Sequence, residues 1–587
     1  MNERWNLDPI YKGFSDPAYV QDMKTLEEKL QEIAAYSEKL SDGCDPLVTL
    51  KEGIALQEDI YQLISSLLIY ANLRQSANTR DPEAASQMGR IMALYSCVAA
   101  PKAAFEAWAS ALPELMELVE KDAFLQPYTF MFANIKENSR YLLPGMGEEI
   151  MAKMSISGSS AWSDLQSYIT STVPVMYRGE KTNLPTIRNL AYDPDPQVRK
   201  DAFEAEIACY ERIEAPAAFA MNSIKLETLT DCQLRGYASP LERTLKQWTM
   251  TKQTLDAMFG AMQEYMPKFR QYMKCKAKAL GHENGLPWYD LFAPMGGMDT
   301  KMTAEDAREY LVNIFSRFDK ELADMVADAF DNEWIDFYPR DGKTGGAFCV
   351  GVPAIRQSRV LTNFDGAFTD VVTLAHELGH AFHNYCLQDQ RPLNQDYSMP
   401  LAETASTFNE CVVMATAIQD AKNNNEKLAL IESQLQDATQ IICDIYSRYL
   451  FEESVFNNRS DSFMDALALC NLMTDAQKRS YGDGLDENCL HPYMWVCKSH
   501  YYGPTFYNFP YAFGGLFARG LYAQYEKEGE SFVPKYKQLL RTTPVAYAED
   551  VAKVADIDLT SKEFWRAGLQ TIADQIDLFC SLVAAGE

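Results

Sequence analysis

The chain carries the pentapeptide His376-Glu377-Leu378-Gly379-His380 within an otherwise apolar run that has helical periodicity. Two histidines four residues apart lie on one helix face, about one turn apart, so both imidazoles can bind one zinc ion. The glutamate beside the first histidine can then act as a general base on water at that ion. The chain has only six histidines in 587 residues, and half of them fall in or just after this pentapeptide. The pattern therefore indicates a metal site rather than a surface helix that carries two histidines by chance.

A third protein ligand is required, because catalytic zinc usually has three protein ligands and one open position for water. His383 shares the helix face but lies about 10 Å along the axis from His376, too far for one straight helix to supply all three ligands easily. Cys386 stands where the metzincin pattern has its third histidine, so the sequence does not match that pattern. Glu403 lies near the start of the next predicted helix, and an antiparallel arrangement would return it to the ion. We expect His376, His380 and Glu403 as ligands, with His383 as the alternative third ligand.

Two further groups of side chains are candidates for supporting roles. Glu410 lies seven residues after Glu403 on the same helix face and can accept a hydrogen bond from a ligand imidazole; the alternative is a solvated helix residue. Residues 500–511 are dense in tyrosines and contain a histidine, and these are suitable donors to a developing oxyanion. Aromatic clusters also form ordinary cores, so a structural role for this segment stays open.

Composition limits the partners and the compartment. The formal net charge of −28 argues against a nucleic acid or an anionic membrane as partner, since both require a basic surface. No apolar run reaches the roughly 18 residues of a membrane span, and residues 1–11 lack the pattern of a secretory signal. Thirteen cysteines without a CxxC pair indicate reduced thiols. We expect a cytoplasmic protein, and the sequence does not predict its oligomeric state.

Helical periodicity dominates the chain from end to end, so the predicted fold class is mainly α. Segments 16–40, 47–77, 82–112 and 114–122 read as helices, and residues 173–182 read as a short strand and turn. Asp195 and Pro196 then end one element and begin another. We place the main boundary here, which predicts an N-terminal helical lobe at 1–195 and a catalytic domain at 196–587.

The segment 341–364 differs from its helical surroundings. Glycine-rich turns bracket two short strand candidates, residues 347–350 and 358–364, just before the helix with the histidines. A small sheet in this place can offer an edge along which a peptide lies extended and pairs through its backbone. A purely structural hairpin is the alternative.

Taken together, these residues resemble the oligoendopeptidase F branch of the thimet oligopeptidase family of zinc metallopeptidases. The resemblance extends over nearly the whole chain and rests on ordered motifs. These motifs are WNLDPIY at 5–11, SISGSSAW at 155–162, DPQVRKDAFEA at 195–205, RGYASPLERTL at 235–245, GGAFC at 345–349, HELGHAFH at 376–383, MPLAETASTFNE at 399–410 and HYYGPTFYNFPYAFGGLF at 500–517.

The resemblance implies a mainly α, bilobed helical body with a deep central channel and a small β-sheet beside the metal site. It also implies a zinc-dependent endopeptidase that hydrolyses internal bonds of short unstructured peptides with one Zn²⁺ ion. The site residues implied by motif position are His376, His380 and Glu403 as zinc ligands, Glu377 as base, Tyr511 as the transition-state tyrosine, His500 as a substrate contact, and either Tyr507 or Tyr502 as a second tyrosine.

Two other functions are consistent with the residues. A zinc exopeptidase, such as a carboxypeptidase, would need a fixed charge for a peptide terminus, and Arg359 is the candidate for that charge. A non-catalytic peptide-binding protein would need no intact catalytic set, and the presence of both histidines and both glutamates argues against it.

Overall fold

Helices make up most of the chain, as the periodicity predicts. The computed structural model describes residues 3–41, 43–143, 146–297 and 301–586. The helices before residue 195 are α1 Pro17–Ser37, α2 Pro46–Ala77, α3 Pro82–Ser96, α4 Ala99–Ala111, α5 Leu115–Lys121, α6 Thr129–Asn138, α7 Gly147–Ser155, α8 Ala161–Thr172 and α9 Leu184–Asn189. The helices after it are α10 Pro196–Tyr210, α11 Glu214–Arg235, α12 Pro240–Gln247, α13 Lys252–Ala279, α14 Ala304–Ser316, α15 Lys320–Asp331, α16 Phe368–Leu387, α17 Met399–Ala402, α18 Thr404–Asp420, α19 Asn424–Thr439, α20 Ile445–Arg459, α21 Ala466–Tyr481, α22 Met494–Cys497, α23 Phe509–Glu528, α24 Phe532–Thr542, α25 Ala548–Lys553 and α26 Lys562–Gly586.

Asp-Pro pairs begin several of these helices. Asp16, Asp45, Asp81 and Asp195 each accept hydrogen bonds from first-turn backbone N–H groups, and a proline follows each of them. Proline is suited to the first helical position because its fixed φ is helical and its missing N–H would have no partner there. The segment expected as one helix over 82–112 is divided into α3 and α4.

The strands form two small sheets. The strands described are β1 Val175–Tyr177, β2 Glu180–Thr182, β3 Ile335–Asp336, β4 Phe348–Val352 and β5 Gln357–Leu361. The expected strand and turn near 173–182 is the β1–β2 hairpin. In the second sheet the order is β3-β5-β4, with β4 antiparallel and β3 parallel to β5. The β4–β5 hairpin matches the prediction, whereas β3 was not predicted.

The buried side chains separate into a main core and smaller N-terminal clusters. The main cluster extends from Val173 to Val583. Two other clusters lie within residues 11–91 and 50–132. Because the main cluster takes in residues on both sides of 195, it does not by itself mark a boundary there, and the division at 195 stays a prediction.

Helix α16 lies at the centre of the functional region. It packs against α18 on one side and against β4 and β5 on another. The mainly α fold class with a small sheet beside the predicted metal helix is therefore confirmed. Among the described residues, no helix combines the length and the hydropathy that crossing a membrane requires.

Candidate metal centre

A carboxylate in the first turn fixes the start of helix α16, which begins at Phe368 with Ala367 before it. Asp370 occupies the third helical position, and its Oδ2 accepts hydrogen bonds from the backbone N–H groups of residues 365–367 at 2.9–3.1 Å. This carboxylate fixes the chain entering α16 and satisfies backbone donors that have no helical partner.

Glycine at position 379 allows α18 to touch α16. A Cβ atom built on Gly379 would lie 2.5 Å from Ala405 O and 2.5 Å from Ser406 Cα, so only glycine permits this approach. Asn409 Nδ2 donates to Ala375 O at 3.1 Å and links the two helices a turn away. Glu403 lies at the junction of α17 and α18, where this contact holds it beside α16.

Three side chains meet in the arrangement that a metal ion requires. Glu403 Oε2 lies 3.3 Å from His376 Nε2 and 3.4 Å from His380 Nε2. Two ligand atoms at 2.0–2.1 Å from one tetrahedral zinc ion are about 3.3 Å apart. Among the described residues, these three form the group whose possible ligand atoms all lie within 4.8 Å of one another. The donor set and the spacing fit zinc.

Nearby carboxylates and burial together set the pKa values of His376 and His380. Glu410 Oε1 lies 2.5 Å from His376 Nδ1, which is the contact expected for a residue that orients a ligand imidazole. Burial alone would lower the pKa of His376, but Glu403 and Glu410 outweigh it and raise that pKa to about 10. Burial lowers the pKa of His380 to about 4. Ser406 Oγ, which the sequence analysis missed, donates to Glu403 Oε2 at 2.7 Å, and it lies within the quoted motif at 399–410.

Glu377 lines a cavity that reaches the candidate ligand His376. This cavity has a volume of about 1090 Å³, and Glu410 lines it as well. Only 6% of Glu377 is exposed, and burial, together with the charges of Glu403 and Glu410, raises its pKa to about 7. A carboxyl group in this environment can both accept and release a proton near neutral pH.

His383 is held away from the three-residue group. Its Nε2 lies 2.8 Å from Thr543 Oγ1, and its ring stacks on Tyr397 with the centroids 4.0 Å apart. Thr543 Oγ1 donates to Leu540 O, so it accepts from His383 Nε2. His383 is fully buried and is not a member of the group formed by the described residues. The geometry therefore does not favour the alternative with His383 as third ligand.

The aromatic segment places three of its side chains together. His500, Tyr507 and Tyr511 form a cluster in which each pair of ring centroids lies 5.8 Å apart. Tyr511 Oη lies 3.4 Å from His500 Nε2. A Cβ built on Gly514, one turn after Tyr511, would lie 3.0 Å from Glu403 Cβ, so α23 passes directly beside the candidate ligand.

Tyr502 and Arg359 lie in the protein interior rather than at this cluster. Tyr502 is 2% exposed and belongs to the main core, whereas the ring of Tyr507 lies beside that of Tyr511. Arg359 is also fully buried, and it donates to Asn6 O at 2.9 Å and to Ser358 O at 2.8 Å. An arginine whose guanidinium bonds backbone carbonyls in the interior is not the fixed charge that an exopeptidase would require.

Comparisons with known proteins agree with this geometry. The model for Peptidase family M3 matches residues 189–571, and the model described as Oligopeptidase F matches residues 100–173. The chain is 24% identical to Oligopeptidase PepF of Bacillus subtilis (strain 168) over 596 residues, which covers 98% of this chain and 86% of the relative.

Solved structures share the fold. A structure from Chlamydophila abortus superposes with a TM-score of 0.86 at 19% identity and covers 99% of this chain and 98% of that one. Oligoendopeptidase-F from Enterococcus faecium superposes with a TM-score of 0.70 at 18% identity and covers 96% of this chain and 100% of that one. The resemblance to the oligoendopeptidase F branch is confirmed. Since the family model spans most of the chain, the protein belongs to Peptidase family M3 and is a metallopeptidase.

Proposed function

We propose that the protein is a zinc-dependent endopeptidase that hydrolyses internal bonds of short, unstructured oligopeptides. The observation that carries the proposal is the placement of Glu403 Oε2 at 3.3 and 3.4 Å from the two histidine Nε2 atoms. These two distances match edges of a zinc tetrahedron, and a site with three protein ligands would leave the fourth position for water or substrate. His376, His380 and Glu403 would hold one ion, and Glu410 would orient His376 through its Nδ1.

Glu377 is the proposed general base and acid. When bound, zinc supplies Lewis acidity and lowers the pKa of water in its coordination sphere. Glu377 faces the same cavity, so its carboxylate can accept a proton from the attacking water and later donate it to the leaving amine. Its pKa, which burial raises to about 7, suits a group that performs both transfers.

Tyr511 and His500 are the proposed donors to the oxyanion that develops on the scissile carbonyl, and Tyr507 supports them. Burial raises the pKa of Tyr511 to about 12, so its hydroxyl keeps its proton and can donate a hydrogen bond at neutral pH. Burial lowers the pKa of His500 to about 4, so the neutral imidazole is the form present. Donors fixed in place before the reaction stabilise the transition state more than donors that must reorganise.

The surroundings of the site support peptides rather than folded proteins as substrates. His376 and Glu377 line one cavity, and a separate cavity of about 440 Å³ lies between α2, the edge strand β4 and the C-terminal half of α16. An extended peptide fits between such walls and can pair with β4 through its backbone, whereas a folded domain cannot enter. We also propose the division into 1–195 and 196–587, and a cytoplasmic location, which the absence of disulfides in the described chain supports.

Mass spectrometry of peptides blocked at both ends tests this function. The protein is treated with a chelator and then assayed with and without added zinc, on peptides of increasing length. Internal cuts that disappear on chelation and return with zinc are expected. Cleavage that requires a free terminus would indicate an exopeptidase, and zinc-loaded protein that binds peptides without cutting them would indicate a binding function.

A further inference from the structure

A smaller cavity adjoins the metal-site cavity, which is the one lined by His376 and Glu377. It has a volume of about 290 Å³, and basic, acidic and aromatic side chains line it. Tyr192, Phe292, Gln436 and Asp437 line both cavities, so the two spaces meet at these four residues. We refer to the smaller space as the Lys498 cavity.

Lys498 is the basic side chain of this cavity whose ammonium makes no hydrogen bond or close ion pair within the described chain. The two arginines that line the cavity are each paired with a carboxylate, Arg188 with Glu206 at 2.9 Å and Arg199 with Asp290 at 2.7 Å. Asp444, which also lines the cavity, is paired with Arg448. Burial and the charge of Arg448 lower the pKa of Lys498 and outweigh the charge of Asp444, which raises it.

A buried histidine of the same cavity also has a ring nitrogen without a partner. His491 is 1% exposed and lines the Lys498 cavity, and its Nδ1 has no hydrogen-bond partner among the described residues. Its Nε2 lies 3.4 Å from Glu206 Oε1. Buried polar groups are normally satisfied, so this nitrogen, together with an ammonium that lines the same cavity without a close partner, points to an absent ligand. Because an ammonium can only donate, the part of that ligand that meets Lys498 must be an acceptor, and a carboxylate is an acceptor that peptides carry.

The position of Lys498 relates it to the peptide site. It precedes His500 by two residues, which limits their Cα separation to about 7 Å, and the Lys498 charge contributes to the low pKa of His500. His500 Nε2 in turn lies 3.4 Å from Tyr511 Oη. Because Tyr192 and Phe292 line both cavities, a peptide that occupies the metal-site cavity can extend past them into the Lys498 cavity.

We propose that Lys498 binds a carboxylate of the peptide substrate, so that the enzyme prefers peptides with a negative charge a fixed distance from the cleaved bond. This inference rests on the proposed oligopeptidase function. The carboxylate can come from the peptide C-terminus or from an aspartate or glutamate side chain, since both present the same acceptor group to an ammonium.

Two peptide series separate these sources. One series has no acidic side chain and carries either a free or an amidated C-terminus, and the other has an amidated C-terminus and carries either glutamate or glutamine at successive positions. In the series that contains the true ligand, the wild-type kcat/KM is expected to be about 10- to 100-fold higher for the charged peptide. Cuts located by mass spectrometry should then lie a constant number of residues from that charge.

Variants at Lys498 test the assignment. In Lys498→Met the charged and neutral peptides should be cut with nearly equal kcat/KM. Lys498→Arg should retain the preference in part. Lys527→Met, which removes the same charge from the exposed end of α23, should leave the preference intact. An undiminished preference in Lys498→Met, or no preference in the wild-type enzyme, would overturn the inference.

A binding measurement keeps this test independent of cleavage. Calorimetry on the Glu377→Gln protein, with and without Lys498→Met, compares the Kd of the charged and neutral peptides. A preference that Lys498→Met abolishes would support the carboxylate site even if no peptide were cut, and absence of cutting would then count against the proposed function alone. Equal Kd values in the presence of Lys498 would contradict the carboxylate site.

Discussion

Replacing Gly379 with alanine should weaken the metal site without touching a metal ligand. The new Cβ would lie 2.5 Å from Ala405 O and from Ser406 Cα, both of which are backbone atoms of α18. Carbon contacts are comfortable at about 3.5 Å, so α18 would have to retreat by about 1 Å. Metal–ligand distances tolerate only about 0.2 Å, and Glu403 begins the same segment. We therefore expect a loss of zinc affinity of about 10- to 100-fold, comparable to that of second-sphere mutations.

The stability change follows from two opposing effects. Alanine is favoured over glycine within a helix by about 1 kcal/mol, and overpacking a buried contact costs about 1–3 kcal/mol. Since backbone atoms cannot rotate away, we expect the larger cost, and a net loss of about 1–2 kcal/mol in the free energy of unfolding. Urea unfolding of the metal-free protein and zinc competition with a chelating dye measure the two quantities separately.

Other helical glycines supply matched controls. Gly89 lies within α3, and a Cβ there would meet nothing within 4 Å, so Gly89→Ala should stabilise the protein by up to about 1 kcal/mol and leave zinc affinity unchanged. Gly514→Ala would bring its Cβ to 3.0 Å from Glu403 Cβ and should fall between the two. If Gly379→Ala behaved like Gly89→Ala in both assays, close packing of α16 and α18 would not be what positions the carboxylate.

Four other substitutions address the chemistry. Glu377→Gln should lower kcat by about 10²- to 10⁴-fold and leave zinc affinity unchanged in the dye assay, because the residue moves protons and does not hold the ion; an equal loss of affinity would make it a ligand. Glu410→Gln should lower zinc affinity by about 10- to 100-fold, since His376 Nδ1 loses its carboxylate; unchanged affinity would refute that role. Tyr511→Phe should lower kcat by about 10²- to 10³-fold with little change in KM, and a change in KM alone would indicate ground-state binding. Burial lowers the pKa of His383 to about 3, so below about pH 6.5 only the unfolded chain binds this proton and the folded state loses stability as pH falls. His383→Phe should reduce the stability lost between pH 7 and pH 5 by about 2 kcal/mol in urea unfolding, and an unchanged pH dependence would contradict a neutral buried imidazole.

The part of the site within one helix could be predicted from the sequence. His376, Glu377 and His380 lie within about one turn of α16, so their relative positions follow from helix geometry alone. Glu403 follows less directly from the sequence, because it reaches the histidines only if a second helix returns antiparallel to the first. That return depends on contact at Gly379, which periodicity does not reveal.

Other features depended on tertiary packing and were not available from the sequence. Tyr502 and Tyr507 stand in the same aromatic segment. The short turn that carries Tyr502 packs against α8 and α11, where Tyr502 is buried, whereas the ring of Tyr507 lies 5.8 Å from that of Tyr511. Strand β3 has two residues, too few to show an alternating pattern. Arg359 lies on strand β5, yet it is fully buried, and its Nε and Nη1 donate to Asn6 O and Ser358 O.

Glycine at helix crossings explains why these scattered residues form one site. Gly379 brings α18 against α16, and Gly514 brings α23 against Glu403. At the first crossing, Glu403 lies beside the histidines of α16. At the second crossing, Gly514 lies beside Glu403, and Tyr511 lies one turn before Gly514 in α23. A larger residue would separate these groups by about 1 Å at Gly379 and by about 0.5 Å at Gly514, and misplacement by about 1 Å can cost about 100-fold in rate. The glycine inside the HELGH pentapeptide is thus as much a requirement of the chemistry as the histidines on either side of it.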